Sequence, residues 1–173
     1  MPRTIALLRG VGGPTALRMP ALREVLASAG LGEVETLQVA GNIVLDDGGR
    51  SPGTLTSTIR DAVREAFGFD LPVVVRTHDE LVDARARNPF ATAAEGRWVQ
   101  TVFLLEAPAA GTTIEVPADA PEEAVLDGSE VFVRYPEGIG GSKLQAGWFE
   151  KRLGVTGTAR NANTVAKLIE MSA

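Results

Sequence analysis

The sequence predicts an α+β protein whose first half follows the ferredoxin-like, split βαβ plan and whose remainder is a less regular version of it. Antiparallel sheets with helices on one face are the expected architecture. Two observations lead there. Over residues 1–77, apolar runs of strand length and amphipathic stretches alternate in the order strand, helix, strand, strand, helix, strand. From residue 78 onward strand, hairpin and helix signals recur with a longer irregular stretch among them. The expected division is therefore 1–77 for the ferredoxin-like half and 78–173 for a C-terminal half ending in two capped helices. No sharp linker separates the two, which predicts that they pack tightly.

Each element has its own signal. Ile5 to Leu8 is a short apolar run of the kind found centrally in a sheet, broken by turn chemistry from Gly10 to Pro14. Pro20 opens a helix carrying Met19, Leu22, Val25, Leu26 and Ala29 at helical spacing, and Gly30 ends it. Val34–Val39 and Ile43–Leu45 read as strands around Ala40-Gly41-Asn42, with Asn42 expected in a left-handed turn conformation. Leu55, Ile59, Val63 and Phe67 mark a second amphipathic helix closed by Gly68, and Leu71–Arg76 is the next strand. The helix faces are expected to pack on Ile5, Leu7, Val39, Val44 and Val74. Thr77-His-Asp-Glu80 is a capping-box signature for a helix to about Arg87. Val99–Leu105 is a strand, 107–120 reads mainly as loop, and Asp127-Gly128 marks a hairpin between Ala124–Leu126 and Val131–Tyr135.

Composition narrows the function. A chain of 173 residues buries about 70% of its unfolded surface and needs no covalent staple. It has no cysteine and one histidine, His78. Disulfides, thiolate metal sites and a cysteine nucleophile are excluded, and the sequence offers no metal site or cofactor. His78 reads as an exposed residue of a helix start, not a general base. A net charge of -5 argues against a non-specific nucleic-acid binder, although a local basic patch is compatible with it. No signal peptide or membrane-length apolar run is present, so a cytoplasmic protein is expected. Oligomeric state is not encoded legibly.

The stretch most suited to function is Tyr135-Pro-Glu-Gly-Ile-Gly-Gly-Ser-Lys-Leu144, with Thr158-Ala-Arg-Asn-Ala-Asn-Thr164 downstream. Ser142 with Gln145 reads as a capping box for a helix starting at Lys143, and Thr158 as the cap of a second helix. Gly138, Gly140 and Gly141 would let the intervening amides converge on one point. Lys143 and Arg160 then sit at helix starts, where a cation opposes the dipole by about 0.3–1 kcal/mol. An anion between the two starts would reverse that cost; the alternative is that both cations point into water. Asn161 and Asn163 either cap the backbone or touch the ligand. Arg9, at the end of the first strand, either pairs with a carboxylate or clamps the anion from the sheet side. Tyr135, Trp148 and Phe149 flank the turn as core residues or as a stacking surface.

Several separated motifs in one order resemble a bacterial family, domain-of-unknown-function family 1697, from about Ile5 to Met171. They are Ala6-Leu-Leu-Arg-Gly10, Gly41-Asn42, Asn88-Pro-Phe90, Tyr135-Pro with Gly138 and Gly140, Ser142-Lys-Leu144, and Thr158-x-Arg-Asn-x-Asn-Thr164. The resemblance implies two ferredoxin-like halves and no established activity. The family's lysine cluster after the first strand is replaced by Val11–Arg18, in which Arg18 alone is basic, and its aromatic within Arg-Asn-x-Asn-Thr is Ala162. Both departures weaken polyphosphate binding and base stacking.

The function expected from the sequence is binding of a small anion or nucleotide-like ligand by Arg9, Gly138, Gly140, Ser142, Lys143, Arg160, Asn161 and Asn163. An enzyme acting on a phosphorylated or nucleotide substrate is the alternative. RNA binding on an open sheet is a third reading and would need Phe103, Phe132 and Tyr135 exposed.

Overall fold

The N-terminal apolar run forms strand β1 (Thr4–Leu8), all five residues of which are buried. The computed structural model describes residues 3–93 and 95–173. The chain divides into two units, Met1–Leu81 with Lys167–Ala173, and Val82–Ala166. Each contains one four-stranded antiparallel sheet, and the whole is an α+β fold of two sheet-plus-helix halves. No helix among the described residues is long and apolar enough to cross a membrane.

In the first unit β1 is followed by α1 (Met19–Ser28), β2 (Gly32–Leu37), β3 (Asn42–Asp46), α2 (Pro52–Phe67) and β4 (Val73–Thr77). The sheet order β2-β3-β1-β4 is that of the split βαβ plan. Local signals set its ends. Ser51 caps α2 by accepting from the Thr54 amide at 3.2 Å, Pro52 follows it, and Gly68 closes the helix in the left-handed region at φ 77°. Beneath the helices lie Leu22, Leu26, Leu55, Ile59 and Val63, packed with Ala6, Leu8, Ile43, Leu45 and Val73.

That packing corrects the expected sheet face. Ile5, Leu7, Val44 and Val74 are buried, but strand alternation places them on the side away from α1 and α2. A run buried on both faces carries no alternation from which the helix-facing set can be read. Val39 is 70% exposed in the turn beyond β2. Gly41, not Asn42, takes the left-handed conformation (φ 71°). A Cβ on Gly41 would stand 2.7 Å from that of Leu8, so glycine is required there for close approach as well. Asn42 is buried in β3, donating to the Leu37 carbonyl at 3.1 Å.

The second sheet comprises β5 (Val99–Leu104), β6 (Glu123–Asp127), β7 (Glu130–Arg134) and β8 (Gly157–Asn161) in the order β6-β7-β5-β8, the same permutation. Helix α4 (Ala146–Leu153) stands between β7 and β8. The segment joining β5 to β6 has no helix; instead Ile114, Val116 and Ala120 pack against the core of Val102, Val131, Val133, Tyr135 and Phe149. A helix runs on directly from the last strand of each sheet: α3 (His78–Arg87) from β4 and α5 (Ala162–Ser172) from β8.

Two expected helix starts move. The chain at Lys143 is not helical; α4 begins at Ala146 after an extended Gln145. The Ser142 hydroxyl accepts from the Leu144 amide at 3.0 Å and donates to Glu122, while Tyr135 Oη donates to the Leu144 carbonyl at 2.6 Å. Those bonds anchor the buried Leu144 and use up the hydroxyl that would have capped a helix. Thr158 and Arg160 lie in β8, opposite Phe103 and Thr101 of β5, so sheet pairing outcompetes the threonine cap. The α5 cap is Asn161, whose Oδ1 accepts from the Thr164 amide at 2.9 Å.

Candidate functional site at the start of helix α5

The residues singled out from the sequence fall in separate places. Arg9 follows β1, half-buried, with its amide donating to the Pro72 carbonyl at 3.0 Å; it belongs to the first unit, and the other seven belong to the second. Two amides of the glycine-rich turn are spent on backbone carbonyls. Those of Gly138 and Ser142 donate to Tyr135 and Ile139 carbonyls, and Gly138 alone of the three glycines has positive φ. A Cβ on Gly138 would lie 3.3 Å from the Trp98 ring, which accounts for glycine at that position. Gly140 has open space around it. Phe149 is buried, whereas Trp148 is half-buried with the Arg152 guanidinium 3.6 Å from its ring centroid.

Beside the turn lies a groove of about 470 Å³ that includes Ser142 and Lys143, but also Asp119, Glu122 and Glu137. Three carboxylates against one ammonium give it the wrong sign for an anion. Glu122 is 9% exposed. Its negative charge, after burial itself, holds the Tyr135 phenol above its ordinary pKa.

A second cavity, of about 230 Å³, opens at the start of α5 and has the opposite character. Arg85, Asn88, Gly96, Thr101 and Asn163 line it with small apolar side chains, and among the described residues no carboxylate does. Arg85 is in the last turn of α3, where a cation suits the helix dipole. It is exposed, and its guanidinium makes no ion pair or hydrogen bond among the described residues. Its neighbour Arg87 is occupied by Asp127 at 2.8 Å, Asp83 at 2.7 Å and Glu130 at 3.1 Å, which raise its pKa against the effect of burial.

Asn88 is 9% exposed. Its Oδ1 accepts from the Phe90 amide at 2.9 Å, closing a turn across Pro89 and leaving its amide hydrogens unbonded among the described residues. Thr101, in the middle of β5, is 5% exposed and its hydroxyl has no hydrogen-bond partner among the described residues. Among the described residues no buried side-chain polar atom is left unbonded, so this hydroxyl is open to solvent, on a residue that lines the cavity. Asn163, in the first turn of α5, lies against Gly96, where an added Cβ would stand 2.4 Å from Asn163 Oδ1. Asn161 is spent as the cap, leaving the first amides of α5 without intrahelical partners.

Arg160 sits directly opposite Thr101 in the β5–β8 register, its side chain on the same face of the sheet. It does not line the cavity. It donates to Thr158 Oγ1 at 2.6 Å and to the Ala159 carbonyl at 2.9 Å, and burial lowers its pKa to about 10. Of the residues expected at the site, Asn163 alone lines this cavity. Arg85, Gly96 and Thr101 carry no local signal and were missed; Asn88 was legible as a helix stop, and the pairing of the Asn88-Pro-Phe90 and Arg-Asn-x-Asn-Thr motifs was the available clue. Phe103, Phe132 and Tyr135 are all buried, so none of them presents a ring for stacking.

No curated protein matches the chain. Among solved structures, the conserved bacterial protein SP0830 from Streptococcus pneumoniae is similar in fold, with a TM-score of 0.70 and 20% sequence identity. That match covers 99% of this chain and 98% of that one. A family model described as "Protein of unknown function (DUF1697)" matches residues 1–132, and the chain belongs to that family.

Proposed function

We propose that this protein binds a small anion in the cavity at the start of α5. The observation that carries the reading is Thr101, only 5% exposed, whose hydroxyl is unbonded among the described residues and open to solvent at a cavity lined, among those residues, by a free guanidinium and no carboxylate. Such a hydroxyl takes its hydrogen-bond partner from whatever occupies the cavity. Arg85 supplies the charge, Asn88 and Asn163 supply planar amide donors, and the first amides of α5 add the positive end of a helix dipole. Arg160 stands one strand away, where a neighbouring anion would offset the cost of its burial.

The test is a thermal-shift titration of the full chain with sodium sulfate and sodium phosphate at constant ionic strength. A saturable rise is expected, reaching about 2.7 kcal/mol of added stability at about 100 times the dissociation constant. Arg85→Ala should remove the rise without lowering the melting temperature of the unliganded protein, because Arg85 is exposed. A rise that survives this substitution would place the anion elsewhere.

A further inference from the structure

The cavity's charge and size carry the reading one step further. Among the described residues it presents one full positive charge, that of Arg85, and every other polar lining group is neutral. A phosphate monoester brings about -1.5 to -2 charges at neutral pH, more than this lining offsets. A carboxylate brings one, and its two oxygens match the guanidinium fork.

Volume points the same way. About 230 Å³ lies below the range of roughly 300–1,000 Å³ typical of pockets for drug-sized ligands, so the enclosed part of the ligand is a small head group. Beyond Arg85 the polar groups are of mixed character. The Thr101 hydroxyl and the Asn163 carboxamide each offer a donor and an acceptor, and the Asn88 amide hydrogens offer donors. Acceptors would be idle against a bare anion; they are satisfied by a ligand hydroxyl. Val165 and Ala166 give a short apolar body a surface to rest on.

We infer that the ligand is a small monocarboxylate carrying a hydroxyl group near its carboxylate, and not a phosphate ester. This rests on the anion-binding reading above and can fail separately from it. Its experiment is calorimetric titration of the full chain with lactate, propionate and inorganic phosphate at one ionic strength, on the wild type, Arg85→Ala and Thr101→Val. The expected order is lactate at least about tenfold tighter than phosphate and than propionate. Arg85→Ala should lose all three, and Thr101→Val should bring lactate down to the level of propionate. Phosphate binding as tightly as lactate or tighter, and lost in Arg85→Ala, would overturn the carboxylate inference while leaving an anion site at α5. Lactate no better than propionate, or unaffected by Thr101→Val, would overturn the hydroxyl requirement. No Arg85-dependent binding of any of the three would overturn both.

Discussion

The two helices that run straight on from a sheet's last strand differ at their first turns. At α3, Thr77 and Glu80 form a reciprocal capping box: the Glu80 amide donates to Thr77 Oγ1 at 3.1 Å and the Thr77 amide to Glu80 Oε2 at 2.8 Å. Asp79 adds a second carboxylate to that turn. At α5, Asn161 closes one amide and no acidic residue is present in the first turn. The α3 start carries its own counter-charge, whereas the α5 start leaves its dipole unanswered. Similar topology therefore yields a helix start with carboxylates in its first turn in one place and a start with none in the other.

The halves also differ in how the first two strands of each sheet are joined, and that difference predicts the largest effect. Leu26, on α1, is fully buried; Leu26→Ala should cost about 2–5 kcal/mol by chemical denaturation. Ile114, on the helix-less segment of the second half, is only half-buried, and Ile114→Ala should cost less than Leu26→Ala. Equal costs would mean that the irregular segment supports its sheet as firmly as a helix does.

A second measurement reads the second half alone, since Tyr135 is the chain's single tyrosine. Its raised pKa stems from burial and from Glu122, and its phenol must stay protonated to donate to Leu144. A group raised in the folded state contributes stability that is fully present below its unfolded pKa, about 10 for tyrosine, and lost as pH rises through the folded value. Phenolate absorbance should therefore be missing at pH 10–11 while the protein remains folded, then appear with alkaline unfolding. Reversible ionisation near pH 10 with the fold intact would show that Tyr135 is not held as described.

The smallest effect tests the helix starts directly. Asn163 occupies the position in α5 that Asp79 occupies in α3, two residues after the cap. Asn163→Asp should add about 0.3–1 kcal/mol of stability through the dipole and abolish the anion-dependent thermal shift. If the shift persists, the unanswered helix start does not attract the ligand, and the contrast between the junctions loses its meaning.

Much of the fold was legible because its signals are local. The Thr77–Glu80 box, the Gly68 closure and the Asp127-Gly128 hairpin each lie within about four residues of the groups they bond. The candidate cavity was much less legible. Asn163 was picked out beside Arg160, but Arg160 lies in a strand and pairs with Thr101, 59 positions earlier in the chain. Lys143 and Ser142 turn to a groove whose carboxylates come from the helix-less segment and the turn itself.

By itself the sequence determined the order of elements, the antiparallel α+β plan and most helix ends, since those depend on backbone preferences and hydrogen bonds between near neighbours. Tertiary structure alone decided which face of β1 meets the helices, because Ile5 to Leu8 is apolar throughout and buried on both sides. It also decided that Ser142 serves Leu144 and Glu122 instead of a helix, and that Thr158 serves a strand. A capping hydrogen bond is worth about 1 kcal/mol, and a sheet ladder or a buried anchor such as Tyr135 on Leu144 outweighs it once distant parts of the chain have met.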